Sequence, residues 1–547
     1  MLRIFLVILS LIVFLFSQTT LTAPSPQLIV VISLDQFRYD YLTRFREHFG
    51  DGGFKFLLEK GANFANATYK HALNMTGPGH AVISTGCYGN QNGIFANNWF
   101  DPATRQDVYC VGDKNARPIG SVYGAASPSN LMMTTFGDEL RLSSNFRSKV
   151  ISISNKDRAA VLMGGKLANG VYWMMDSVFM TSNHYMDRLP QWVEGFNSSG
   201  LMNSYFGKKW EKSLSEEAYA MMDMDDAPYE GSSNGLGRTF PHRITGDDTA
   251  RITRSYYYAL LTTPYGSEVL AAFAKEAIKA EELGKRGVTD LFCIGFSSTD
   301  YVGHTFGPHS QEVLDMAVRM DKILADLFAF LHAEIGLSNC LVVLTSDHGV
   351  APIPEYVLAH HQNAPAGREM QEELLNFCSA ALTKKFGKLR KEDSWIDRIV
   401  DNNVYLNRTV IARKKLMVDE VATVLAGSLR ERKEVATAFS HRAMAELFPS
   451  TPVEHRMKRS FHRERSGDVF YALKPLFIEG YATTGTTHGE PYDYDAHVPV
   501  IIFGGGIRPG TYATEASPAD IAPTLSALLG ISFPAGREGM VLEEALK

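Results

Sequence analysis

Short apolar runs rich in β-branched residues recur along this chain, and amphipathic helical patterns separate them. Continuous apolar runs of about four to eight residues are typical of strands buried on both faces, whereas half-exposed strands alternate between polar and apolar residues. We therefore predict an α/β fold with a central, mostly parallel sheet that has helices on both faces. The runs are QLIVVISL, SKVISIS, DLFCIGF, CLVVLTS and VPVIIFG.

Carboxylate and imidazole side chains follow several of these runs. Asp35, Asp300 and Asp347 each come soon after a run has ended. The carboxyl ends of parallel strands meet at one edge of a sheet, where ligands bind, so we expect these residues to lie together. Asp300 and His304 are four residues apart, which places them on one face of a helical turn. His348 directly follows Asp347, so this pair can bind one ion only from a loop that wraps around it, or it can contact two ions.

Two glycine-rich segments add a hydroxyl and a third imidazole. Thr76 stands in NMTGPGH, a turn that enters a helix, and His488 stands in TTGTTHG. Thr76 is either the N-cap of the helix or a nucleophile held on a metal ion. His488 is either hydrogen-bonded to the backbone or a metal ligand. A set of oxygen and imidazole ligands suits zinc-like ions.

The composition limits the classes of partner. The chain has 547 residues and a net charge of −6, so it offers no basic field for nucleic acid. We predict one large domain over residues 24–547, with insertions at about 175–251 and 362–481.

The N-terminus has the pattern of a signal peptide over residues 1–23, with a charge, a short apolar stretch and a polar region. An uncleaved anchor is the alternative, and no stable membrane span is expected after signal removal. The five cysteines are an odd number and lack zinc-binding spacing, although Cys87 and Cys110 could form a disulfide after export.

The motifs together resemble the alkaline phosphatase superfamily, in family order and over essentially the whole mature chain. The resemblance implies an α/β sandwich with two zinc ions, and Thr76 as both ligand and nucleophile. One zinc would be held by Asp35, Thr76, Asp347 and His348, and the other by Asp300, His304 and His488.

The pair Lys156 and Arg158 resembles the signature of the phosphate-irrepressible alkaline phosphatases, whose nucleophile is a threonine. Nucleotide pyrophosphatases share the threonine but lack this pair, and the sulfatase pattern is absent around Thr76. Asn97 matches the phosphate-binding asparagine of the same group. Alternate residues of an extended segment face one side, so both cations could contact the phosphate; the alternative is a solvated charge cluster.

We therefore predict zinc-dependent hydrolysis of small phosphate monoesters through a phosphothreonine intermediate. The alternatives are a nucleotide pyrophosphatase or phosphodiesterase of the same superfamily and a non-enzymatic anion-binding protein. The resemblance implies a bacterial, periplasmic or secreted enzyme, and we expect a monomer.

Overall fold

The computed structural model describes residues 25–361, 363–480 and 482–547. The predicted signal peptide, residues 1–23, lies outside this part of the chain. Among the described residues, no helix combines the length and the apolar character that crossing a membrane requires.

A ten-stranded sheet forms the centre of the fold. Its strands are β1 Leu28–Leu34, β2 Ala62–Ala67, β3 Pro118–Ile119, β4 Val150–Ser154, β5 Gly170–Met175, β6 Val178–Ser182, β7 Asp290–Phe296, β8 Cys340–Thr345, β9 Val500–Gly504 and β10 Gly510–Ala516. They lie in the order β10-β2-β9-β8-β1-β7-β4-β5-β6-β3. The five strands from β8 to β5 are parallel to one another, whereas β9 and β6 run antiparallel to their neighbours. The predicted mostly parallel sheet is confirmed.

Helices cover both faces of this sheet, as predicted. In β1, Val30 and Ile32 pack into one apolar core, and Ile29 and Val31 pack into another on the opposite face. This division follows from the alternation of side chains along a strand and explains why the whole strand is apolar. The main helices are α1 Phe54–Lys60, α2 Thr76–Thr85, α3 Phe136–Ser143, α4 Asp157–Gly164, α5 Arg254–Leu261, α6 Pro264–Ala280, α7 Ser298–Phe306, α8 Gln311–Glu334, α9 Pro354–His360 and α10 Ile521–Leu529.

The strand order brings distant residues to one edge. Strands β8, β1, β7 and β4 are consecutive neighbours and end at the same side of the sheet. Asp347 follows β8, Asp35 follows β1, Asp300 lies in α7 after β7, and Lys156 follows β4. Four residues that are far apart in sequence therefore meet along this edge.

Within the predicted insertion at about 362–481, the described residues 363–480 contain a separate four-stranded antiparallel sheet with its own apolar core. We propose that it is an inserted subdomain. Its sheet has the order Ile396–Val400, Asn403–Leu406, Val469–Leu473 and Val435–Ser440; its helices are Gln371–Phe386, Arg408–Arg413, Val418–Leu429, His441–Glu446 and Pro452–Ser460.

The segment 175–251 does not have a separate core, because Trp210 and Tyr219 pack against the main one. It also contributes β6 to the central sheet. We propose that it is a cap on the main domain.

Other short strands and α-helices complete the fold. The strands are Asn98–Asp101, Gln106–Tyr109, Lys209–Trp210, His242–Arg243, Gly367–Met370 and Phe477–Gly480, and the helices are Tyr41–Arg44, Gly89–Asn92, Gln191–Ser198, Glu216–Tyr219 and Asp493–Ala496.

All five cysteines are buried, free thiols. The disulfide between Cys87 and Cys110 that the sequence allowed is therefore not formed. Cys87 Sγ lies 3.5 Å from Thr85 Oγ1, whereas Cys110 packs beside Gly77.

Candidate active site

Three predicted ligands form a first group at the edge of the sheet. Asp300 and His304 lie one turn apart on α7, with His304 Nε2 3.2 Å from Asp300 Oδ1. His488, from a distant loop, places its Nε2 3.8 Å from the same oxygen. One ligand atom from each of the three residues lies within 4.8 Å of the others, so the three can hold one metal ion.

A second group forms around His348. Its Nε2 lies 3.4 Å from Asp35 Oδ1 and 3.4 Å from Asp347 Oδ2, and 3.5 Å from Thr76 Oγ1. The neighbours Asp347 and His348 thus face one point from a loop. Asp300 also lies within 4.8 Å of the Asp35 and His348 ligand atoms, so its carboxylate stands between the two groups.

Two properties of these ligand atoms fit zinc: the distances between them and the environment of two carboxylate oxygens. In a tetrahedral site with bonds of about 2.0–2.1 Å, ligand atoms are about 3.3 Å apart, close to the distances around His348 and between His304 and Asp300. Asp35 Oδ1 and Asp347 Oδ2 are buried and have no hydrogen-bond partner within the described parts of the chain. Buried carboxylate oxygens without donors are costly unless a cation binds them.

Each of the three histidines is oriented by a backbone carbonyl. Because a carbonyl oxygen only accepts, the ring Nδ1 must donate, and the lone pair is left on Nε2, which faces the carboxylates. The contacts are His348 Nδ1 to Gly349 O at 2.8 Å, His304 Nδ1 to Thr486 O at 2.8 Å, and His488 Nδ1 to Asn74 O at 2.7 Å.

The electrostatics of the site also favour bound cations. Burial, followed by the charge of Asp35, raises the pKa of Asp347 well above its ordinary value. Burial, followed by repulsion from His348 and His304, lowers the pKa of His488 well below its ordinary value. The site therefore concentrates carboxylates that need positive charge around a histidine that stays neutral, as metal ligation requires.

Thr76 is the first residue of α2, and the N-cap position belongs to Met75. The N-cap interpretation of Thr76 is therefore wrong. Its hydroxyl instead lies 3.3 Å from Arg158 Nη2. The helix end is held tightly, because a Cβ added to Gly79 would lie 2.2 Å from the Asp347 carbonyl oxygen.

Lys156 and Arg158 do not act as alternate residues of an extended segment. Lys156 precedes α4 and Arg158 lies in its first turn, and the two side chains contact different partners. Lys156 Nζ lies 2.8 Å from Asp35 Oδ2 and 2.5 Å from Asp300 Oδ2. Burial lowers the pKa of Lys156, but the two carboxylates outweigh burial and raise it overall. Arg158 alone of the pair contacts Thr76, and its buried Nε has no partner among the described residues.

Asn97 is fixed by the same helix end. Its Oδ1 accepts a hydrogen bond of 2.7 Å from the backbone N–H of Gly77. Because the oxygen is engaged, the group that can bind a substrate oxygen is the amide Nδ2. Asn97 lines the cleft over the site, whereas Asn98 begins a strand and is exposed, so the two adjacent asparagines are distinguished.

The cleft has a volume of about 440 Å³ and contains residues that sequence reasoning did not single out. Arg368, Asp401 and Glu479 reach it from the proposed inserted subdomain. Beneath the cleft, Gln36 Nε2 donates to Asp300 Oδ1 at 2.9 Å, and His80 Nδ1 lies 3.3 Å from Asp347 Oδ2. Gln36 follows Asp35 in the sequence, and His80 ends the NMTGPGH motif. Their closeness in sequence to predicted ligands is therefore the feature that could have indicated both residues.

The family model described as type I phosphodiesterase / nucleotide pyrophosphatase matches residues 29–490. The chain belongs to this family. The predicted membership of the alkaline phosphatase superfamily is thereby confirmed. Within it, the chain is 37% identical over 531 residues to the alkaline phosphatase PhoV of Synechococcus elongatus, covering 96% of this chain and 94% of the relative.

The alkaline phosphatase PafA of Elizabethkingia meningoseptica is 34% identical, over 97% of this chain and 96% of its own length. The crystal structure of wild-type PafA matches with a TM-score of 0.89, covering 96% of this chain and 99% of PafA. A PafA variant substituted at one threonine, one asparagine, one lysine and one arginine matches with a TM-score of 0.88 at 33% identity, over 96% of this chain and 99% of the variant. The predicted fold is confirmed over nearly the whole chain.

Proposed function

We propose that this protein hydrolyses phosphate monoesters as an alkaline phosphatase, with two zinc ions and a phosphothreonine intermediate. The enzyme class predicted from the sequence is confirmed by PhoV and PafA, which match nearly the whole chain. The observation that carries the mechanism is the position of Thr76 Oγ1, 3.5 Å from His348 Nε2 and 3.3 Å from Arg158 Nη2. The Thr76 hydroxyl thus lies beside both a candidate metal-binding group and the Arg158 guanidinium.

The ligand sets are those predicted from the resemblance. One ion would be held by Asp35, Thr76, Asp347 and His348, and the other by Asp300, His304 and His488. When bound, the two ions supply Lewis acidity toward the nucleophile, the phosphoryl oxygens and the leaving oxygen.

The side chains around Thr76 perform the remaining chemistry. Thr76 Oγ1 attacks phosphorus, the alcohol leaves, and water then hydrolyses the phosphothreonine. The Arg158 guanidinium and the Asn97 amide donate hydrogen bonds to non-bridging oxygens, on which charge is spread in the transition state. The start of α2 adds a positive helix end beneath the phosphoryl group.

These donors favour monoesters over diesters. A monoester dianion has three non-bridging oxygens and more negative charge than a diester, in which one oxygen carries a second organic group. We assign the main discrimination to Arg158, which contacts Thr76. Lys156 contributes by neutralising Asp35 and Asp300 and by supporting phosphate binding. The PafA variant carries substitutions at the same four residue types as this proposed set, which supports the assignment of Thr76, Asn97, Lys156 and Arg158.

Variants of Thr76 test the mechanism. Thr76→Ala should abolish nearly all hydrolysis of p-nitrophenyl phosphate and prevent covalent phosphorylation by labelled substrate, because the attacking oxygen is gone. Thr76→Ser keeps the oxygen and should retain activity. Undiminished turnover by Thr76→Ala would refute the assignment.

Two further assays separate the alternatives. A higher kcat/KM for bis(p-nitrophenyl) phosphate than for the monoester would favour the phosphodiesterase. Phosphate binding without turnover by the zinc-loaded protein would favour an anion-binding protein. We also propose export to the periplasm or the medium, which the N-terminal sequence pattern supports, and a monomeric state.

A further inference from the structure

A hairpin of the proposed inserted subdomain reaches the active-site cleft. Its strands, Ile396–Val400 and Asn403–Leu406, are joined by the two residues Asp401 and Asn402. Their φ angles are +46° and +58°, the left-handed conformation of a tight two-residue hairpin turn. Residues other than glycine adopt this conformation at a cost, and such residues concentrate at functional sites.

Asp401, at the tip of this hairpin, contacts the segment that carries Asn97. Its side chain lines the cleft, although the residue is only 7% exposed. Asp401 Oδ2 accepts a hydrogen bond of 2.9 Å from the backbone N–H of Asn98, and the backbone N–H of Asn97 also bonds to this carboxylate. The carboxylate therefore fixes the backbone that positions the Asn97 side chain.

Two ion pairs connect this hairpin to a second hairpin, which runs from Asn98 to Tyr109. Arg105 contacts both carboxylate oxygens of Asp397, at 3.0 and 2.8 Å, and Arg398 contacts both oxygens of Asp107, at 2.8 and 2.6 Å. The pairs cross in opposite directions, so they fix the register of one hairpin on the other. Exposed pairs add little stability, but bidentate geometry defines orientation.

We propose that Asp401 is a positioning residue, through which the inserted subdomain orients the Asn97 amide toward the substrate phosphate. The inference rests on the proposed role of Asn97. The chain of contacts runs from the Asp401 carboxylate to the backbone N–H groups of Asn97 and Asn98, and from Asn97 Oδ1 to Gly77 N in the helix that bears Thr76. The backbone of Asn97 is thus held by the proposed inserted subdomain, and its side chain is held by helix α2 of the main domain.

The ionisation of Asp401 agrees with this role. Burial raises the pKa of Asp401 to about 6, although the backbone N–H groups and Arg158 oppose the rise. At the alkaline pH at which such an enzyme is assayed, the group is therefore a carboxylate, the form that accepts both hydrogen bonds.

Asp401→Gly and Asp401→Asn test the proposal in the zinc-loaded, full-length enzyme. Glycine keeps the positive φ and removes the carboxylate, whereas asparagine keeps both the conformation and an acceptor oxygen. Asp401→Gly should weaken inhibition by inorganic phosphate and lower kcat/KM for p-nitrophenyl phosphate, each by roughly 10-fold, the value of one charge-assisted hydrogen bond. Asp401→Asn should stay within about threefold of the wild type. Lys415→Gly, at an exposed residue with φ of +58°, is the control for glycine in this conformation.

The double variant with Asn97→Ala separates positioning from a general loss of structure. If Asp401 acts through Asn97, Asp401→Gly should cause no further loss once Asn97 is alanine. Full losses in both backgrounds, or an unchanged Asp401→Gly enzyme, would overturn the inference and leave the role of Asn97 intact. An Asn97→Ala enzyme with unchanged phosphate inhibition would instead remove the role of Asn97, and this inference with it.

A second variant covers the case in which Asp401→Gly does not fold. Arg398→Ala removes the ion pair between the hairpin and Asp107 without changing a residue of the cleft. It should give a smaller loss in the same two measurements, and that loss should also vanish in the Asn97→Ala background. A loss that persists there would contradict the proposal.

Discussion

Replacement of Arg158 gives the sharpest test of the choice between monoester and diester. Arg158 Nη2 lies 3.3 Å from Thr76 Oγ1, and its buried Nε has no partner within the described parts of the chain. The two nitrogens lie on one edge of the guanidinium, so they can bind two oxygens of a phosphoryl group held at Thr76.

The size of the effect follows from these two donors. A hydrogen bond to a charged group contributes about 1.5–3 kcal/mol, so Arg158→Ala should cost about 3–6 kcal/mol of transition-state stabilisation. That corresponds to a loss of roughly 10²- to 10⁴-fold in kcat/KM for p-nitrophenyl phosphate. For bis(p-nitrophenyl) phosphate, which has less charge and one oxygen masked, we expect a loss of about 10-fold or less.

Two matched variants divide this loss into charge and geometry. Arg158→Lys keeps the charge but loses the fork, and should fall between the wild type and Arg158→Ala. Tyr109→Phe removes the hydroxyl that lies 3.4 Å from Arg158 Nη1 and should cause a smaller loss through misplacement of the guanidinium. Equal losses on both substrates, with unchanged thermal unfolding, would refute the assignment of Arg158 to monoester recognition.

Three other predictions concern the metal groups and a buried acid. Removal of metal by a chelator should abolish turnover, and added zinc should restore it; turnover by metal-free protein would contradict the site. His488→Ala should lower the zinc content from two equivalents toward one, because the Asp300 group has only three predicted protein ligands, and metal analysis measures this directly. Burial, followed by the charge of Glu312, raises the pKa of Glu230 from 4.5 to about 10. The folded state therefore holds a proton that the unfolded state releases between those values, and the free energy of unfolding falls as pH rises through this window. Glu230→Gln should remove that slope and raise the free energy of unfolding at pH 9 in denaturant unfolding, whereas an unchanged slope would show that Glu230 ionises normally.

The sequence predicted five of the mostly buried strands, but it did not predict β5, which is also buried. The five apolar runs correspond to β1, β4, β7, β8 and β9. Strand β10 was not predicted, because it lies at the edge of the sheet and most of its residues are at least partly exposed. An edge strand has fewer buried positions, so its sequence lacks a continuous apolar run.

The candidate site was predictable where a residue type and its place after a strand coincided. Asp35 and Asp347 met both conditions, and they lie together as expected. Gln36 did not meet both conditions. It contributes to the site through hydrogen bonds to Asp300 and Asp347, which lie 264 and 311 positions away in the chain. The different contacts of Lys156 and Arg158 were also hidden, because α4 starts between them and they are therefore not alternate residues of one extended segment.

The close approach of Gly79 to Asp347 has a consequence for how this enzyme can change. The helix that carries Thr76 lies against the loop of Asp347 at Gly79, and any side chain at position 79 would place its Cβ 2.2 Å from the Asp347 carbonyl oxygen. This contact between the helix and the loop depends on residue 79 and not on the side chain at position 76. In a randomised library, we expect position 79 to accept glycine only, whereas position 76 should tolerate small residues as far as folding is concerned. Evolution can thus exchange the side chain at position 76 without rebuilding the helix that carries it, so the chemistry at this position is easier to alter than the architecture.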